Sequence, residues 1–211
     1  MPTVTGLVPD PRGSGGFVVH LDGVSFAVVA AEDVRVLRLE PGTALTDREV
    51  ASVEHRAEVF RSRAAALRIL GYRSLPSVEL RRRLVRKGHA PAAVEEALAG
   101  LVAAGLVDDR AFARHFVKTR ARRLRFGPER LERELRRLGI PLAEARAAVA
   151  GGLSEDGVEP RELLREAARK KLATLRGLDG RTRGRRLRIY LRRHGFSLAD
   201  VNEVVKEALA G

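Results

Sequence analysis

The sequence predicts a mainly α-helical protein: tandem three-helix repeats forming an elongated curved array, preceded by a small N-terminal β-hairpin plus helix. One observation behind this is a spacing of leucine, leucine four residues on, and glycine four residues later. It occurs at Leu80, Leu84 and Gly88, at Leu131, Leu135 and Gly139, and at Leu187, Leu191 and Gly195. Successive copies are offset by 51 and 56 residues, in or just beyond the range of helical repeats. A second observation is that the copies agree past the glycine. Val94, Ala145 and Val201 lie six residues after it, and Leu98, Val149 and Val205 lie ten after it. A unit this short cannot bury its apolar face alone, so the copies should stack and present a long surface to a partner. The third observation is charge. Residues 1–60 carry a formal −4 and residues 61–211 a formal +17, which makes nucleic acid or a nucleoprotein the leading class of partner.

Taken in order, residues 1–16 read as a flexible arm because Pro2, Pro9, Pro11, Gly13, Gly15 and Gly16 crowd it. Residues 17–60 read as a hairpin and helix. Two apolar runs flank the turn Asp22-Gly23, and Val34 to Leu39 is either a third short strand or the tail of a small helix. Thr46 and Glu49 have capping-box spacing and open a helix that reaches about Leu70. A hairpin this small is marginal alone, so it should pack on that helix.

The first repeat spans 61–107. Leu67 and Leu70 form the stripe of its first helix, Ser74 or Ser77 caps the second, Gly88 ends it, and Pro91 opens the third. The second spans 108–152, with Asp108 as N-cap, Gly127-Pro128 starting the middle helix, and Gly151-Gly152 stopping the last. A linker at 153–160 leads to the third repeat at 161–211. There Gly177, Gly180 and Gly184 read as a longer loop that accounts for the wider offset, and Ser197 with Asp200 forms a capping pair. Phe112, Phe116 and Phe196 are assigned to the core, and Tyr72 and Tyr190 to helix packing in preference to base stacking.

Cysteine is absent, which removes disulfides and thiolate chemistry and fits a reducing, cytoplasmic setting. No apolar run approaches the roughly 18 residues of a membrane span, so no membrane association is expected. The candidate contact residues are Arg82, Arg86 and Lys87 in the first repeat, Lys118, Arg122, Arg123, Arg125, Arg133 and Arg137 in the second, and Arg185, Arg188 and Arg192 in the third. Positive charge on equivalent helices suits an extended anionic or filamentous target. The structural alternative is solvated faces relieved by helical pairs such as Glu166 with Lys170. A helix-turn-helix regulator that binds DNA independently is the competing functional reading, although the last helices are rich in Ala and poor in base-reading side chains.

Catalysis finds little support. The five histidines lack close metal spacing, and no HExxH, Walker or dinucleotide loop occurs. Asp108-Asp109 with His115 suggests a nuclease, yet helix capping accounts for Asp108 and a metal nuclease needs further acids nearby. No catalytic, cofactor-binding or metal-ligating residue is therefore assigned, and no cofactor is expected.

The string Leu106-Val107-Asp108-Asp109-Arg110-Ala111-Phe112-Ala113, followed by Gly127 and by Leu135-Arg136-Arg137-Leu138-Gly139-Ile140, resembles the RecX family of regulatory proteins. So does Ser77, Glu79, Leu80, Leu84, Lys87 and Gly88 in the preceding repeat. The likeness covers roughly residues 60–209, and Asp108-Asp109 with Phe112 is its most specific element. It implies tandem three-helix repeats and a modulator of the RecA recombinase, lying along the groove of the RecA filament on single-stranded DNA and inhibiting strand exchange and ATP hydrolysis. The partners it implies are the RecA nucleoprotein filament and single-stranded DNA, with duplex DNA as a further ligand, bound by a monomer. Asp108, Asp109, Phe112, Gly88, Gly139 and Gly195 are read as structural.

Overall fold

The first sixteen residues are not an arm. In the computed structural model, which describes residues 1–155 and 157–210, strand β1 (Val4–Pro9) pairs antiparallel with β2 (Gly16–Leu21), which pairs with β3 (Val24–Ala30). The prolines and glycines that suggested mobility mark the β1–β2 turn, where Gly13 and Gly15 take positive φ. Val4 is fully buried, and its N–H donates to the Thr43 carbonyl at 2.8 Å. Apolar burial and pairing with β2 therefore outweigh the local composition. The Asp22-Gly23 turn closes β2–β3 as expected, both residues at positive φ.

The chain divides into two units, Met1–Val107 and Asp108–Gly211. In the first, the short helix α1 (Ala31–Val36) resolves the ambiguity at residues 34–39. Helix α2 (Asp47–Tyr72) starts at the expected capping box: the Glu49 N–H donates to Thr46 Oγ1 at 3.4 Å, and the Thr46 N–H donates to Glu49 Oε2 at 2.8 Å. This one helix serves two cores. Val53 and Ala57 pack beneath the sheet, while Ala65 and Ala66 pack against α3 (Ser77–Arg86) and α4 (Pro91–Ala103). A division at residue 60 thus falls mid-helix. Ser77 is the first residue of α3, with Pro76 at its N-cap, so neither serine caps it.

The second unit holds α5 (Asp109–Leu124), α6 (Pro128–Arg137), α7 (Leu142–Glu155), α8 (Pro160–Ala173), α9 (Gly180–Arg193) and α10 (Leu198–Ala210). Its two repeats share one apolar core. Gly151-Gly152 does not stop α7, because Gly152 is the contact point of a close crossing: a Cβ there would lie 3.0 Å from Val117 Cγ1. The helix continues to Glu155, so the expected linker at 153–160 shrinks; Asp156, within it, and Gly211 lie outside the described residues. Gly184 likewise belongs to α9, where a Cβ would meet Leu209 Cδ1 at 2.9 Å. The loop before α9 runs only over 174–179, and Asp179 caps the helix by accepting from the Thr182 N–H at 2.9 Å. Part of the wider offset is an additional helical turn: α9 has 14 residues where α3 and α6 have 10.

The repeated spacing has a single backbone explanation. Leu80, Leu84, Leu131, Leu135, Leu187 and Leu191 are all fully buried. Each glycine sits at positive φ just past its helix. The N–H after it, from His89, Ile140 and Phe196, donates back to the carbonyl of the second leucine, Leu84, Leu135 and Leu191. The N–H of Gly88, Gly139 and Gly195 donates to Val85, Arg136 and Arg192. These two bonds are the Schellman termination, which places its left-handed residue four positions after its buried anchor.

Candidate nucleic-acid interface

The helix termination also fixes where cations emerge. Two residues before each glycine stand Arg86, Arg137 and Arg193, all exposed on the last turn of the middle helix. A cation there complements the negative end of the helix dipole and remains available to solvent. Along the middle helix this is the basic position that all three repeats share. Arg193 belongs to the basic run of the third repeat that the sequence marks as a contact surface, and aligning the three glycines is the signal that singles it out.

The other cations are used unequally. Arg82 and Arg83 both pair with Glu79 on α3, at 3.1 and 2.8 Å, and Arg81 reaches Glu95 on α4. The hydrogen bond from Arg83 and the surrounding guanidinium charge hold the Glu79 carboxyl below its ordinary range. Arg125 is half-buried, occupies a left-handed C-cap at φ 53, and faces Glu166 at 3.5 Å. Arg192 bridges Glu129 at 3.2 Å and the Phe196 carbonyl, while Arg130 covers the Phe126 ring at 3.6 Å and donates to the Arg193 carbonyl at 3.1 Å. Arg192 thus fastens α9 to α6 in addition to presenting charge. Arg122, Arg123, Arg133, Arg185 and Arg188 are exposed on their helices, as is Lys118.

Aromatic placement departs from expectation in two places, and one leucine does as well. Phe196 is buried as expected and Phe112 and Phe116 are partly buried, but Phe126 also enters the core. Tyr190 packs as assigned, its ring 3.9 Å from that of His194. Tyr72 does not pack: the residue is 92 % exposed. Leu67, assigned to the apolar stripe of the first repeat, is also exposed, because Ala65, Ala66, Ile69 and Leu70 form the inward face of α2.

Two clusters have the composition of catalytic sites and a structural use. Asp108 Oδ1 accepts from the Ala111 N–H at 2.9 Å and caps α5. Among the described residues, no three side chains of metal-ligating type converge. In the first unit, buried Ser62 lies 3.1 Å from His89 Nδ1, and Glu58 lies 2.9 Å from the same nitrogen. A relay would need the two partners on opposite ring nitrogens; here one imidazole edge ties α2 to the turn after Gly88. Burial pushes the Glu58 carboxyl upward, but hydrogen bonds from Arg61, His89 and the Ala90 N–H outweigh it and leave the group below its usual range.

Comparison with known proteins supplies a family. Models for the first, second and third three-helix domains of RecX match residues 63–101, 108–149 and 159–205, in that order. The chain is 35% identical over 142 residues to regulatory protein RecX of Chlorobium limicola, covering 67% of this chain and 86% of that one. It is 30% identical over 195 residues to regulatory protein RecX of Geobacillus kaustophilus, covering 92% of this chain and 70% of that one. A crystal structure of regulatory protein RecX shares the fold, with a TM-score of 0.80 at 24% identity over 98% of this chain and all of that one.

Proposed function

Because the chain belongs to the RecX family of regulatory proteins, we propose that it is a non-enzymatic regulator of the RecA recombinase. In this reading it binds the RecA filament on single-stranded DNA in the cytoplasm and lowers strand exchange and ATP hydrolysis. The observation that carries the reading is the recurrence of one exposed arginine at the same helical register in all three family domains, Arg86, Arg137 and Arg193. At each of these positions the guanidinium offers paired donors to a phosphate or an acidic side chain. The exposed cations of α5 and α9, Arg122, Arg123, Arg185 and Arg188 with Lys118, extend the same electrostatic attraction. Glu79 and Glu129 hold Arg82 and Arg192 in place, so these two contribute by exchanging a carboxylate for the target.

The test is a RecA ATPase assay with pull-down on RecA-coated single strands at about 0.15 M salt. The triple variant Arg86→Glu, Arg137→Glu and Arg193→Glu should lose at least about tenfold in apparent affinity, equivalent to roughly 1.4 kcal/mol. Unchanged inhibition would reject these residues as contacts. A preference for one duplex sequence over RecA-coated strand would favour an independent helix-turn-helix regulator instead.

A further inference from the structure

Near the C-terminal end of α2 the first unit carries a shallow cleft of about 390 Å³, lined by Ala65, Arg68, Ile69, Tyr72, Arg73, Arg83 and Lys87. Four of these seven residues are cationic, and Tyr72 presents nearly its whole ring to solvent. Only Arg83 is neutralised, by Glu79 at 2.8 Å; Arg68, Arg73 and Lys87 have no ion-pair partner among the described residues. The apolar surfaces of α2 and α3 are already satisfied by Leu80, Leu84 and Ala66, each fully buried, so Tyr72 is not needed to complete the core. An aromatic ring held in water beside unpaired cations is the arrangement that stacks an unpaired base while neighbouring cations neutralise its phosphates. Duplex DNA hides the faces of its bases within the stack, so it could engage the cations and not the ring.

We propose that this cleft is a single-stranded DNA site, in which the Tyr72 ring stacks on one base and Arg68, Arg73 and Lys87 contact the flanking backbone. The assignment deepens the reading of the protein as acting on single-stranded DNA and rests on that part of it. It adds a base-contacting element to a surface otherwise described by charge alone, and it adds Arg68, Tyr72 and Arg73 to the candidate contact residues.

The full-length protein is titrated into dye-labelled oligothymidylate, and separately into an abasic strand of the same length, without RecA and at about 0.15 M salt. Tyr72→Ala should weaken oligothymidylate binding at least about fivefold, the low end of what one stacked base contributes. It should leave abasic binding unchanged, and Tyr72→Phe should retain wild-type affinity on both strands. Lys87→Gln should weaken binding to both strands and reduce the salt slope by about one. Equal affinities of wild type and Tyr72→Ala for oligothymidylate would overturn the assignment, as would equal losses on both strands. Displacement by poly-glutamate as effective as by oligothymidylate would also overturn it, in favour of an acidic protein partner. RecA ATPase inhibition by the same samples separates the two readings: Tyr72-dependent strand binding without inhibition removes only the RecA role, and inhibition with Tyr72-independent binding removes only the cleft.

Discussion

At the scale of single residues, equivalent glycines carry different loads. Gly88 and Gly195 both adopt positive φ, at +92 and +86, but a Cβ on Gly88 meets nothing within 4 Å. On Gly195 it would land on the backbone nitrogen and Cβ of Arg130, at a seam where the Gly127 N–H donates to the His194 carbonyl at 2.7 Å and the Glu129 N–H to the Gly195 carbonyl at 3.1 Å. Gly88→Ala should therefore cost about 1–2 kcal/mol from the left-handed backbone. Gly195→Ala should cost roughly 2–5 kcal/mol, because about 1–3 kcal/mol of overpacking is added; urea denaturation of the two variants checks the difference. His194 in the same seam gives a pH signature. Burial, reinforced by Arg130 and Lys171, holds its imidazole below the ordinary value of 6.5, although its Nδ1–H donates to the Tyr190 carbonyl and opposes the shift. The unfolded chain therefore takes up this proton first, and stability falls as pH drops below about 6.5 until the folded imidazole also titrates. Glu49, Glu58 and Glu79 are depressed carboxylates, whose contributions are present above their ordinary value of 4.5 and decline only in more acidic solution. Thermal melts at about pH 7.5 and 5.5 should show this loss, and His194→Gln should narrow the gap between them.

At the scale of elements, helix ends explain most of the motif that looks functional. Asp108 accepts the Ala111 N–H and sets the start of α5. Asn caps as well as Asp, whereas Ala cannot accept that bond, so Asp108→Asn should leave stability near wild type and Asp108→Ala should cost about 1 kcal/mol. Chemical denaturation reads both, and incubation of labelled DNA with a divalent metal provides the contrary outcome: cleavage lost in Asp108→Asn would make the carboxylate catalytic. The repeat glycines were legible as helix ends because turns of this kind demand a left-handed residue. Gly152 and Gly184 were not legible, because a glycine at a close helix crossing has the same identity as a glycine that stops a helix. Only the neighbours, Val117 for one and Leu209 for the other, distinguish them. The same holds for the arm that became β1, whose Pro and Gly describe a turn once a partner strand is present.

At the scale of the whole molecule, burial among the described residues is organised in three cores, under the sheet, in the first repeat, and across the second and third repeats together. Leu84→Ala and Leu135→Ala should each cost about 2–5 kcal/mol and act locally. Hydrogen exchange should show faster exchange in α2, α3 and α4 for the first variant, and in helices of both the second and third repeats for the second. Exchange confined to α5, α6 and α7 in Leu135→Ala would contradict the shared core. The sequence by itself determined the helical class, the three repeats, their buried leucines and the basic character of residues 61–211, since periodicity, helix termination and net charge are properties of local chain chemistry. The tertiary structure alone decided that α2 belongs to two cores, that Phe126 turns inward and Tyr72 outward, and which arginines are committed to glutamates. Those outcomes depend on which surfaces meet, and residues far apart in the chain must be brought together before burial or ion pairing can choose between them.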